Sequence, residues 1–80
     1  MTPARRSSIK VTVEGFAGAG IDHMAEDMVH LANLLNVTVM SRANGVDMMA
    51  CPGDDPTSLF DVTMAEMASS KPMKLARAKP

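Results

Sequence analysis

Val37-Thr-Val-Met-Ser-Arg42, Ala43-Asn-Gly45 and Val46-Asp-Met-Met-Ala-Cys51 follow one another without a break, and their reading decides the fold. Two β-rich runs flank Asn44-Gly45, the dipeptide best suited to the two positive φ angles of a tight hairpin turn. The runs are expected to be antiparallel neighbours. Side chains alternate between the two faces of a strand, so Val37, Val39, Met48 and Ala50 share one face. Thr38, Met40, Asp47, Met49 and Cys51 share the other.

Upstream of the hairpin the period changes from two to between three and four. Ile21, Met24, Ala25, Met28, Leu31, Ala32 and Leu35 form one continuous stripe of a helix from Ile21 to Leu35. Asp22, Glu26 and Asp27 occupy its first two turns, where acids complement the helix dipole. Asn36 is a natural stop, because Asn tolerates the left-handed conformation of a C-cap. Before this helix, Ile9-Lys-Val-Thr-Val-Glu14 alternates as a half-buried strand does, and Gly15-Phe-Ala-Gly-Ala-Gly20 supplies a loop.

Downstream, Pro52-Gly-Asp-Asp-Pro56 is a turn cluster in which Asp55 caps a second helix and Pro56 takes its first position. That helix is expected from Thr57 to Ala68, with Leu59, Phe60, Thr63, Met64 and Met67 facing inward. The order is β-α-β-β-α. It predicts an α+β domain in which a three-stranded, mostly antiparallel sheet is packed on one face by two helices. Strand order 1-3-2 makes the sheet all antiparallel, and order 1-2-3 puts the first two strands in parallel. The uncovered face, with Met40 and Met49 on it, invites a second copy as a homodimer or another partner.

Eighty residues allow one domain. Residues 1–8 read as a disordered basic arm, 9–68 as the folded domain and 69–80 as a flexible basic tail. A domain this small buries only roughly 60% of its unfolded surface. Its aromatics are Phe16 and Phe60 alone, and nine methionines fill the space such rings usually take. Cys51 is the single cysteine, so no internal disulfide is expected and a cytoplasmic, reducing setting is the natural inference. No apolar run approaches the roughly 20 residues that cross a bilayer, and no secretory signal is read at the N-terminus.

Charge is sorted along the chain. All nine carboxylates lie between Val11 and Ser70, and Arg42 is the one cation among them. Arg5, Arg6 and Lys10 lie at the front, and Lys71, Lys74, Arg77 and Lys79 at the back. A formal charge of −1 therefore conceals an acidic body with two basic ends. Such a body attracts cationic surfaces and repels nucleic acid. Asp22, Glu26, Asp27, His30, Leu34, Asp47, Asp54 and Asp55 are the expected partner-binding residues, with Leu34 as an apolar anchor among the acids.

Three other features resemble sites and are read otherwise. His23, Glu26, Asp27 and His30 fall on about a third of the first helix, a set chemically able to hold a divalent metal. The same spacing is that of a solvated face, and no metal or cofactor is assigned. Gly15, Gly18 and Gly20 precede a helix but lack the spacing and the Lys-Ser or Lys-Thr of a phosphate loop. Cys51 has no cation near it in sequence to stabilise a thiolate. No nucleophile with a base and orienting group is readable, so an enzyme is not expected.

Over the segment Ile21 to Asp55, with Leu31-Ala-Asn-Leu-Leu-Asn-Val-Thr-Val39, Asn44-Gly-Val46 and Pro52-Gly-Asp-Asp55, the chain resembles small βαββ proteins of phages and mobile elements. It is similar in particular to anti-CRISPR proteins of the type I kind. The resemblance implies a non-enzymatic inhibitor in the cytoplasm of an infected or prophage-carrying bacterium. Such an inhibitor binds a Cascade-type CRISPR effector subunit through acids that occupy a surface meant for DNA. Two other readings stand beside it. An oligomeric sponge for a nucleotide signal would need cations near the Gly15–Gly20 loop, from Lys10, Arg42 or the ends. Direct nucleic-acid binding by the basic ends would be weak and lost with salt, since no aromatic is there to stack on bases.

Overall fold

The computed structural model describes residues 9–15, 18–70 and 74–78. The expected arm, residues 1–8, lies outside the described residues, as do Phe16 and the tail residues Lys71 and Lys79.

The hairpin forms as its turn dipeptide dictates. Asn44 and Gly45 take φ values of 50° and 80°, both left-handed, and that pairing matches the twist of the flanking strands. Strand β2, Thr38–Ala43, and strand β3, Val46–Ala50, are antiparallel, with Val39 opposite Ala50 and Ala43 opposite Val46. Val37, Val39, Met48 and Ala50 are buried on one face, as alternation requires, with Ser41 and Val46 beside them.

Helix α1 spans Ile21–Leu35 and ends at Asn36, whose φ of 55° and ψ of 45° make the left-handed cap. Its buried residues are Ala25, Met28, Val29 and Ala32. Ile21, Met24 and Leu31 are half-buried, and Leu35 is exposed. The expected stripe is therefore rotated by part of a turn. On a helical wheel Val29 lies on the same flank as Asp22 and Glu26, the flank that meets the second helix. Met24, Leu31 and Leu35 lie on the other flank, where no helix of the described residues covers them.

Helix α2, Pro56–Met67, begins with Pro56 in its first position, as Asp55-Pro56 implies, and Ala68 is its C-cap. The Asp55 carboxylate accepts the Thr57 N–H at 3.2 Å, the N-cap bond anticipated from the sequence. Leu59 and Thr63 are buried, while Met64 is 44% exposed rather than inward. The turn joining β3 to α2 is closed twice. Asp54 N–H donates to Cys51 O at 3.1 Å, and Cys51 N–H donates to Asp54 Oδ2 at 2.7 Å. Gly53, at φ 87°, completes the turn and donates its N–H to Asn33 Oδ1 of α1 at 2.8 Å.

The sheet has four strands and is mixed, which corrects the three-stranded, mostly antiparallel expectation. Strand β1, Lys10–Thr12, is parallel to β2, with Val11 opposite Val39. Strand β4, Leu75–Arg77, comes from the segment read as tail and is parallel to β3, with Ala76 opposite Met48. Spatial order is β1-β2-β3-β4, so order 1-3-2 is not formed. The reason is that α1 carries the chain back alongside β1, and α2 does the same alongside β3, as helical crossovers between parallel strands do. Ala76 and Ala78 are poor strand formers in isolation, which hid β4. Buried on the side of the sheet that α2 covers, they add to the core.

Both helices lie on the same face of the sheet, as expected, and the core cluster runs from Ala25, Met28 and Ala32 through Val39 and Met48 to Leu59. The steps from β1 to β2 and from β3 to β4 go in the same direction across the sheet, but the two strand pairs run oppositely. With both helices on one face, the two crossovers have opposite hands. One is therefore left-handed, against the strong preference for right-handed connections.

Candidate protein-binding surface

Among the described residues, one-sided packing gives a helical layer and an open sheet face, and the charges follow that division. Within α1, α2 and the cap Asp55 the charged residues are Asp22, Glu26, Asp27, Asp55, Asp61 and Glu66, with no Lys or Arg. Asp22, Glu26, Asp27, Asp55 and Asp61 are exposed. Strand alternation places Lys10, Arg42 and Arg77 on the opposite, open face, with Asp47 as the acid among them. Lys10 and Arg77, which the sequence places in the two basic ends, are thus built into the sheet beside Arg42 of the body. Pairing of β1 with β2 and of β4 with β3 puts them on one face, and those pairings were the missing signal.

The eight expected partner-binding residues separate accordingly. Asp22, Glu26, Asp27, His30 and Leu34 are all exposed on α1, and Leu34 keeps 69% of its surface. Asp27, His30 and Leu34 recur at three and four residues, so they share one stripe with His23. Asp22 and Glu26 face the start of α2, where a shallow recess of about 100 Å3 is lined by both of them with Pro56, Thr57 and Phe60. Asp55 precedes that recess, so six of the eight belong to one layer.

Asp47 and Asp54 do not join them. Asp47 is on the sheet's open face, where its Oδ1 lies 3.4 Å from Arg42 Nε. Asp54 is only 7% exposed, with its carboxylate turned onto the Cys51 N–H. It holds the turn in shape and presents little surface.

A residue absent from the expected set completes the other flank of α1. Glu14, just after β1, shares a groove of about 240 Å3 with His23 and Asp27 at its rim and Met24, Met28 and Leu31 along its wall. Gly15 permits the close approach on that side, since a Cβ there would lie 2.9 Å from Met24 Sδ. The groove exists because α2 covers only one flank of α1.

Cys51 is buried, with Thr38 Oγ1 at 3.8 Å and an Arg77 guanidinium nitrogen at 3.9 Å from Sγ. Strand β4 therefore supplies a cation that sequence proximity did not. Among the described residues, no three His, Cys, Asp or Glu side chains are grouped so as to hold a metal ion. No helix among them is long and apolar enough to cross a membrane.

Comparison of the chain with protein-family models, with curated proteins and with solved structures finds no match.

Proposed function

We propose that this protein is a non-enzymatic binding protein whose helical layer engages a Lys/Arg-rich surface on a nucleic-acid-handling complex. The observation that carries the reading is the absence of any Lys or Arg from α1 and α2, while four acids and Leu34 are exposed there and a fifth acid, the cap Asp55, is exposed beside them. Ordinary surfaces intersperse both signs. A surface of one sign gains long-range attraction and rejects wrong partners, and a desolvated apolar anchor supplies affinity. Leu34, framed by Asp27 and His30 on its stripe, has the character of that anchor. A CRISPR effector subunit, blocked in DNA binding or recruitment within a bacterial cytoplasm, is the partner suggested by the resemblance over Ile21 to Asp55.

The test is capture of effector complexes from lysate by the intact protein, read by native mass spectrometry. The Glu26→Lys/Asp27→Lys variant is run beside it. Loss of a stoichiometric complex with an unchanged helical circular-dichroism spectrum is the expected result. Equal capture by the double variant rejects the acidic helix as the contact.

One observation favours a second reading, sequestration of a nucleotide signal. Lys10 and Arg42 line a hollow of about 410 Å3 together with Thr12 and Gly15 at the end of β1. Glu14 and Asp47 share its wall, and Asp47 already faces Arg42, which weakens it as an anion site. Calorimetric titration with cyclic nucleotides is expected to show no heat. A saturable exotherm would put this reading first.

A further inference from the structure

We infer that the groove between α1 and the segment following β1 is a socket for a single Lys or Arg side chain of the partner. This inference rests on the proposed binding of a basic surface and names the feature that such a surface inserts. The groove, at about 240 Å3, is smaller than the roughly 300–1,000 Å3 of sites that enclose whole small molecules. It has two chemical zones. Met24, Met28 and Leu31 form an apolar wall, and Glu14 and Asp27 stand at the rim as exposed carboxylates with the His23 ring beside them.

Lys and Arg have the complementary arrangement, an apolar stem ending in a cation that stays near water. An aliphatic side chain would leave both carboxylates without a partner. An acidic one would be repelled by them. The occupant is therefore selected by charge at the rim and by shape and polarizability along the methionine wall. The stripe of His23, Asp27, His30 and Leu34 borders the groove, so a seated cation would lie next to the apolar anchor of the same interface.

The groove is tested on the intact chain with 13C-methyl-labelled methionine, titrated with acetyl-arginine amide and, in parallel, acetyl-norleucine amide. Met24 and Met28 report on the groove, and Met40 and Met49 on the opposite face serve as controls. Saturable shifts of Met24 and Met28 with the arginine amide are expected, at a dissociation constant on the order of 1 mM, weakened about tenfold in Glu14→Gln/Asp27→Asn. Norleucine amide is expected to give no saturating shift. Equal shifts from norleucine amide overturn the inference, as do shifts shared by Met40 and Met49 or the absence of saturation with arginine amide. If the double variant misfolds, the comparison of the two amides on the native chain decides alone. Saturation with arginine amide but no captured complex leaves the socket standing and removes the proposed function. A captured complex without saturation does the reverse.

Discussion

Asp54 and Asp22 are both acids of the expected binding set, and their surroundings give them different roles. Asp54 is 7% exposed and accepts the Cys51 N–H at 2.7 Å. Its replacement by Ala leaves a buried donor without a partner, a loss of about 1–3 kcal/mol. Urea unfolding of Asp54→Ala is expected to show a lower midpoint with an unchanged slope. Asp22 keeps most of its side chain in solvent, at the edge of the recess before α2 and with His23 Nε2 at 3.9 Å from its Oδ2. Asp22→Ala is expected to lower the urea midpoint far less, by the loss of one charge at the start of α1, and to weaken partner capture. An Asp22→Ala as destabilised as Asp54→Ala, or a neutral Asp54→Ala, would contradict these different roles.

Helix α2 is the element where local chemistry and packing can be weighed separately. Its start depends on the Asp55 carboxylate and the preset φ of Pro56, and removing the cap in Asp55→Ala is expected to cost about 1 kcal/mol. Its position depends on Leu59, which is fully buried and belongs to the core cluster. Leu59→Ala is expected to cost about 2–5 kcal/mol, so thermal unfolding should rank the two variants in that order. The cap was legible because Asp55-Pro56 is a short-range signal. The inward face was less legible, since Met64 has the spacing of a core residue yet lies outward. In the same way, Val29 is buried and Leu35 exposed because α2 lies against one flank of α1, while residues 13–15 border the other flank beside Met24 and Leu31. A helical wheel gives the width of a stripe, and the neighbours choose which part of it is covered.

At the scale of the whole molecule, one-sided packing yields an acidic layer and a cationic sheet face. Association with a basic partner is expected to be fast at low salt and to slow steeply as salt shortens the screening length to about 8 Å at physiological ionic strength. Stopped-flow association at graded salt checks this, and a salt-independent rate would remove charge steering from the account. Strand β4 ties the sheet together at its far edge, burying Ala76 and Ala78 beside the core. A chain ending at Ser70 would uncover that part of the core as well as the β3 edge. It is expected to lose most of its cooperative urea transition, whereas a dispensable tail would leave the transition intact.

Helix α1, the Asn44-Gly45 hairpin, the Asn36 and Asp55 caps and the inward alternation of β2 and β3 were determined by the sequence alone. Each depends on residues a few positions apart, where turn angles, cap bonds and periodicity act directly. The placement of β1 beside β2, the existence of β4, the opposite hands of the two crossovers and the gathering of Lys10, Arg42 and Arg77 on one face were decided only in the tertiary structure. So were the burial of Asp54 and the groove beside Glu14. These depend on which distant segments pair and which flank a helix covers. That choice is made by the total burial and backbone pairing of the assembled chain, and no local window contains it.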